Sequence, residues 1–186
     1  MHIYHRNKGF TLIELILSLG ICSLIIVPII SILDFSLNAC TTGEKKDQLM
    51  MNGRYAIEYI KDDIRVADKI ISSDKIKGLK TKFPTNIGFV IMIVDDEKGY
   101  NTYKYITYHS KDDKLVRVAC SRTDDKYPLY SYFDGNNDIC EFVDNIGDTK
   151  LDNENSMIYL DLKFKHKNRE KLELKSDIYV RAPIDY

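Results

Sequence analysis

The sequence predicts an α+β protein in which one long N-terminal helix packs on an antiparallel β-sheet domain. Three observations predict this fold class. An apolar run occupies residues 10–33, a segment with apolar positions three and four apart extends to about Ile71, and alternating apolar and polar residues appear after residue 80. Helices and strands have these periods of 3.6 and 2 residues. We therefore expect a helix whose first half spans a membrane and whose second half covers a sheet.

The composition indicates a mixed, soluble surface outside the apolar run. The chain has 186 residues, with 27 basic and 28 acidic side chains and a formal net charge of -1. This balance provides no basic surface for nucleic acid and no acidic excess typical of disorder. The predicted parts are a leader (residues 1–9), a membrane helix (10–33), an amphipathic continuation of that helix (34–74) and a β-rich extracytoplasmic domain (75–186).

The run from Phe10 to Leu33 is long enough to cross a bilayer, which requires about 20 apolar residues. Arg6 and Lys8 precede the run and no acidic residue accompanies them. The positive-inside tendency therefore keeps the leader in the cytoplasm and places the rest of the chain outside. No cleavage site of small residues follows Leu33, which disfavours an ordinary secretory signal peptide. We expect a single-pass membrane protein with its N-terminus inside.

Glu14 is the one charged residue within this run. A carboxylate inside hydrocarbon costs a few kcal/mol and usually marks function. Glu14 either lies close enough to the membrane surface to reach water or has a positively charged partner. Further along, Pro28 removes one helical hydrogen bond, which predicts a kink or a locally melted turn.

The residues from Lys8 to Glu14, KGFTLIE, resemble the cleavage and methylation signature of type IV prepilins and of the related pseudopilins of secretion and competence systems. The resemblance implies that a membrane-embedded prepilin peptidase cuts between Gly9 and Phe10, and that the new amine of Phe10 is N-methylated. It also implies that Glu14 pairs with the terminal ammonium of a neighbouring subunit. Other pilin or pseudopilin subunits would then be partners in an extracytoplasmic filament.

The segment after the membrane helix has a helical pattern of its own. Thr41, Thr42 and Gly43 predict a linker or an irregular turn near residues 40–44, and the polar residues 72–74 predict a stop. Residues 54–68 are similar to the second helical half of minor pilins and pseudopilins, which implies a minor subunit. The apolar or small residues that recur three and four apart are Leu49, Gly53, Ala56, Ile60, Ile64, Ala67 and Ile71.

Asp62 and Asp63 are adjacent acidic residues on this predicted helix. Neighbouring residues on a helix do not face each other. The pair therefore indicates a solvated helix face rather than a metal or acid–base site.

Five later segments alternate apolar and polar residues between turn residues, which predicts antiparallel strands. The predicted turns lie at residues 97–99, 111–114 and 166–170. The predicted strands are Ile87–Asp96, Thr102–Ser110, Leu115–Arg122, Ser156–Lys165 and Lys171–Val180.

Cys120 and Cys140 are the two cysteines of the predicted soluble part. They either close a disulfide, which would stabilise the fold by roughly 3 kcal/mol, or remain as buried thiols, and the sequence leaves both outcomes open. The spacing of cysteine and histidine residues does not fit a zinc site.

Asp134, Asn136 and Asp138 occupy alternate positions, as in the first half of a calcium-binding loop. The later positions of such a loop hold Ile139 and Asn145, where an EF-hand requires glycine and glutamate. A polar turn between strands is therefore favoured over a calcium site, and no cofactor is predicted.

No motif that pairs a nucleophile with a base is present, so the sequence does not predict an enzyme. The leading hypothesis is a structural one: a minor pilin or pseudopilin of a type IV pilus or of a related secretion or competence filament. The alternative is a binding module at the tip of such a filament that captures DNA, a surface or secreted cargo. A third hypothesis, an unprocessed membrane protein with a sensory domain, is disfavoured by the motif at residues 8–14.

Overall fold

A computed structural model describes residues 9–96, 101–166 and 171–186 of the chain. The chain divides into two compact units, Met1–Glu44 and Lys45–Tyr186. The predicted α+β class is confirmed: a long helix with an apolar N-terminal part is followed by antiparallel strands, and the later part of the helix packs on the sheets. The predicted turn at residues 97–99 and most of the turn at 166–170 lie outside the described residues.

Helix α1 begins at Leu12 and ends at Arg65. Its part within the first unit is exposed, including the apolar side chains from Leu12 to Leu37. The helix continues through Pro28 and through residues 40–44, so the predicted melted turn and the predicted irregularity are wrong. A proline removes one hydrogen bond, and a glycine costs about 1 kcal/mol. Neither cost breaks a helix whose hydrogen bonds are intact on both sides.

The part of α1 within the second unit buries one face. Its buried residues have the predicted spacing and include Gly53, where an added Cβ would lie 2.3 Å from Leu174 Cδ1, so glycine allows the helix to approach strand β9 (Lys171–Tyr179) closely. The predicted end near Ile71 is wrong, because residues 69–72 form strand β1 instead. Immediately before that strand, the Asp68 N–H donates to the Met92 carbonyl at 2.9 Å, which brings the chain alongside the residue that pairs with Lys69. The buried helix residues are Leu49, Gly53, Ala56, Ile57, Ile60 and Ile64.

The first sheet has six strands in the order β10–β1–β2–β3–β4–β5, antiparallel except for the parallel pair β1–β10. One face packs on α1, and the other packs on a second buried cluster that includes residues of the short helix α2 (Leu79–Lys82). The predicted turn at residues 111–114 is confirmed, with Asp112 and Asp113 at φ 51° and 58°, as a two-residue hairpin requires. The strands are β1 Lys69–Ser72, β2 Phe89–Asp95, β3 Thr102–Lys111, β4 Lys114–Arg122, β5 Gly135–Glu141 and β10 Ile184–Asp185.

The second sheet is built around strand β8 (Met157–Lys165). Strands β6 (Val143–Asn145) and β7 (Lys150–Asp152) pair with β8, and β9 pairs with it as well. The inward residues of β8 join the same buried cluster as α1 and the first sheet. The chain passes from one sheet to the other at Phe142, which has φ 67° and lies between β5 and β6. One core is therefore shared by the helix and both sheets.

Candidate processing and assembly site

The predicted cleavage site lies just before the start of α1. Gly9 and Phe10 are outside regular secondary structure, and the Phe10 side chain is 82% exposed. An exposed, non-helical peptide bond can enter the active site of a peptidase without prior unfolding of the helix. Residues 1–8 of the basic leader lie outside the described residues.

Thr11 and Glu14 form a reciprocal cap at the helix start. The Thr11 N–H donates to Glu14 Oε2 at 2.9 Å, and the Thr11 hydroxyl donates to the same oxygen at 2.9 Å. In the other direction, the Glu14 N–H donates to the Thr11 hydroxyl oxygen at 3.3 Å. This arrangement is a capping box, in which a threonine before the first helical residue and a glutamate three positions later each accept from the other's backbone. Glu14 therefore has an intrachain partner in the uncleaved chain.

Sequence reasoning missed this role of Thr11, although its signal was present. A threonine three residues before a glutamate at the start of an apolar run is the sequence pattern of a capping box. The helix N-terminus also favours a negative charge, because its first backbone N–H groups point toward the carboxylate. Gly9, Phe10 and Glu14 lie within one short segment, as the sequence predicted.

Hydroxyl groups further along the apolar part of α1 are also satisfied within the helix. The Ser18, Ser23 and Ser31 hydroxyls donate to backbone carbonyls three or four positions earlier, at 2.8, 2.7 and 3.0 Å. A serine bonded in this way carries little cost in an apolar environment. This part of the helix, with mean hydropathy 2.7 over its most apolar window, is long and apolar enough to cross a membrane.

The fold does not support the disulfide between Cys120 and Cys140. Both are free and buried. Cys140 is paired with Leu115 across the β4–β5 ladder, so Cys120 lies five residues further along β4, roughly 16 Å away at about 3.3 Å per residue. The two side chains also belong to different core clusters on opposite faces of the sheet. Burial raises the pKa of Cys120 to about 11 and that of Cys140 to about 12, so both are inert thiols.

The segment with Asp134, Asn136 and Asp138 is neither a calcium loop nor a polar turn. Residues 135–141 form strand β5, in which Asn136 pairs with Val118 and Asp138 with Val116. An extended strand separates alternate side chains instead of wrapping them around an ion. Asp138 also accepts from Lys114 Nζ at 2.7 Å. Among the described residues, no group of three acidic, histidine or cysteine side chains could hold a metal ion.

Asp63 differs from its neighbour Asp62. Asp62 is exposed and pairs with Arg65, as a solvated face predicts. Asp63 instead faces the sheet, where Oδ2 accepts from Arg117 Nε at 2.8 Å and from the Tyr108 hydroxyl. Burial, followed by the Asp63 charge, raises the pKa of Tyr108, so its hydroxyl remains a donor. The predicted solvated face is therefore wrong at Asp63, whose carboxylate joins α1 to β3 and β4.

Comparison with known proteins places one family model on the chain, described as a prokaryotic N-terminal methylation motif and matching residues 4–30. The match covers residues 4–9 of the leader, the Gly9–Phe10 bond, the capping box and most of the apolar helix. The chain carries the N-terminal signature of a type IV pilin-like precursor. No curated protein and no solved structure matches the chain.

Proposed function

We propose that this chain is a minor pilin or pseudopilin, a structural subunit of a type IV pilus or of a related secretion or competence filament. The observation that carries the proposal is the methylation motif over residues 4–30, which coincides with an exposed Gly9–Phe10 bond immediately before an apolar helix. In this proposal a prepilin peptidase removes residues 1–9 and the Phe10 amine is methylated.

The exposed apolar surface of α1 supports a role in assembly. Every apolar side chain from Leu12 to Leu33 is exposed on the helix surface. Burying one such leucine or isoleucine contributes about 1.5–3 kcal/mol, so this surface requires lipid or other helices around it. The membrane supplies the apolar surroundings before assembly, and the helices of other subunits supply them in the filament.

Glu14 has two partners in this proposal: Thr11, which stays in the chain after cleavage, and, in the filament, the terminal ammonium of a neighbouring subunit. In the precursor its carboxylate accepts from Thr11, which limits the cost of holding a charge at the membrane. After cleavage, the terminal ammonium of a neighbouring subunit becomes available as a stronger, charged partner. Pairing with that ammonium fixes the axial position of one helix against the next.

Processing is tested by intact mass. Full-length chain expressed with an active prepilin peptidase should yield a product that begins at N-methyl-Phe10. Replacing Gly9 with leucine should block cleavage, because a bulky side chain would stand at the cut bond. Ser18→Leu, a matched change beyond the cut site, should be processed normally. Recovery of protein that still begins at Met1 from cells with active peptidase would refute the proposal.

The role of Glu14 is tested by comparing alanine with glutamine. Glu14→Ala removes both the cap and the charge, whereas Glu14→Gln keeps an oxygen that accepts from Thr11 and removes only the charge. Both variants should be cleaved, and both should be lost from sheared filaments by at least about tenfold, because a buried ammonium without its carboxylate is strongly unfavourable. If Glu14→Gln assembles at the wild-type level, capping and not charge pairing is the function of Glu14.

A further inference from the structure

Strand β9 leaves one edge uncovered. It is paired with β8 along its whole length, from Lys171 to Tyr179, and within the described ranges it pairs with no other strand. Just beyond it, the Val180 N–H donates to the Ser156 carbonyl at 2.8 Å. Bonded and non-bonded pairs alternate along an antiparallel ladder. Counting back from Val180, the backbone groups of the odd-numbered residues of β9 therefore point outward, away from β8.

Of these odd-numbered residues, which include the exposed and uncharged Tyr179, four carry exposed side chains of alternating charge. They are lysine, glutamate, lysine and aspartate at positions 171, 173, 175 and 177, whereas the intervening Leu172 and Leu174 turn toward the core. Edge strands are commonly protected from association by lysine side chains. Here every lysine is followed by an acid on the same face. Such a pattern repels a strand that places like charges opposite these residues and attracts a strand that places opposite charges there.

One antiparallel register with a second copy of the chain gives the largest number of opposite-charge pairs along β9. When Leu174 lies opposite the other copy's Leu174, Lys171 faces Asp177 and Glu173 faces Lys175, and the two-fold symmetry repeats both pairs. Sliding one copy by two residues places Lys175 opposite Lys175, or Glu173 opposite Glu173, and like charges repel. The residues that pair in the favoured register are those whose backbone groups point outward. Hydrogen bonds and charges are therefore satisfied together.

We infer that β9 is a homodimer interface at which two copies of this chain join their second sheets into one, through antiparallel pairing centred on Leu174. The Lys175 side chain is 64% exposed, so it can reach a partner strand, where contact with the partner's Glu173 replaces its intrachain contacts with Glu173 at 3.0 Å and Asp161 at 3.5 Å. The pairing is isologous and uses the free edge of both copies. Association through β9 therefore stops at two.

Charge reversal tests the interface in the full-length chain. Donor- and acceptor-labelled copies are reconstituted in lipid vesicles without other filament proteins, and energy transfer is measured over a range of protein-to-lipid ratios. Wild type should self-associate. Glu173→Lys and Lys175→Glu should each weaken self-association at least about tenfold, because each converts two attractive cross-strand pairs into repulsive ones. Lys77→Glu, a reversal at an exposed lysine outside β9, should behave like wild type.

Mixing the two variants decides between the interface and a general charge effect. Glu173→Lys in one copy and Lys175→Glu in the other restores opposite charges at all four positions. The mixture should therefore regain wild-type association, although each variant alone associates at least about tenfold more weakly. A monomeric wild type, single variants that associate normally, or a mixture that does not recover would each overturn the proposal. These outcomes leave the processing proposal unaffected, because cleavage is measured separately.

Discussion

At the scale of single residues, Asp63 shows how one charge can hold a helix on a sheet. Its carboxylate contacts Arg117 and Tyr108, and the side chains of Asp63 and Arg117 are only 16% and 14% exposed. A charge this far from water is stabilising only while its partner is present. The pair therefore fixes which face of α1 meets the first sheet.

Removing Asp63 should destabilise the domain more than removing its neighbour. We expect Asp63→Ala to lower the free energy of unfolding by about 2–3 kcal/mol, because Arg117 is left without its carboxylate. Asp62→Ala breaks the exposed Asp62–Arg65 ion pair and should change the free energy of unfolding by less than about 0.5 kcal/mol. Urea unfolding of residues 45–186 measures both changes. The double variant with Arg117→Met should cost less than the sum of the single changes; additive costs would contradict the proposed coupling.

The sequence predicted local chemistry at this scale and missed distant partners. Gly9, Phe10 and Glu14 could be proposed from the sequence because the motif that contains them spans a few consecutive residues, and the family model matches that stretch. The partner of Asp63 lies 54 positions away along the chain, and no pattern around Asp63 indicates it. The sequence left the Cys120–Cys140 disulfide open for a similar reason, because the face of a strand to which a thiol points depends on the pairing of that strand.

At the scale of elements, strand β10 is held at the edge of the first sheet by one acidic residue. Asp185 pairs with Lys69 at 3.0 Å and also contacts Lys75 and the Tyr127 hydroxyl. Hydrogen bonds from Lys75, Tyr127 and Lys69 hold the pKa of Asp185 well below its ordinary value of 3.8. These contacts join three separate segments of the chain to the short strand β10.

This carboxylate predicts an acid-dependent contribution to stability. A lowered pKa in the folded state stabilises the fold above the ordinary pKa, and the stabilisation is lost as the pH falls below about 3.8. Asp185→Asn should therefore lower the free energy of unfolding by about 1 kcal/mol at neutral pH, a modest value because solvent screens the pair. The difference in the free energy of unfolding between Asp185→Asn and wild type should become smaller below pH 4. Unfolding measured from pH 7 to pH 2.5 checks this, and a gap independent of pH would contradict it.

The strands whose apolar and polar residues alternate were predicted from the sequence. A strand that forms only because it pairs with a neighbouring strand was not. The five alternating segments are all strands in the structure, and each strand end lies within two residues of its predicted position. Strand β5 was missed because Asn136, Asn137 and Asp138 disfavour strands locally, and pairing with β4 overrides that preference. Helix α1 was predicted too long because Ala67 and Ile71 continue its helical spacing. In the structure Ile70 and Ile71 are neighbours in strand β1, and their side chains belong to the two different core clusters.

At the scale of the whole molecule, the unit Lys45–Tyr186 should fold by itself. Among the described residues, Leu49 is the first buried apolar residue along the chain. The main buried cluster is formed by side chains of α1 and of both sheets. A fragment of residues 45–186 should therefore be soluble, give mixed helix and strand signals by circular dichroism, and unfold in one cooperative thermal transition. An insoluble fragment, or one without a cooperative transition, would mean that residues before Lys45 or another subunit complete the core.

The parallel pairing of β1 with β10 has a consequence for how the domain is made. Ile70 in β1 pairs with Ile184 in β10. The outer edge of β1, the first strand of the domain, is therefore covered only after the strands between β1 and β10 have been made. Contacts between residues so far apart form slowly, because the intervening chain must be ordered first. While the ribosome is still adding the later strands, β1 presents free backbone groups on that edge. The newly made chain therefore passes through a period in which β1 is open to incorrect pairing, and that period ends only when the segment carrying Asp185 has been made and pairs with β1.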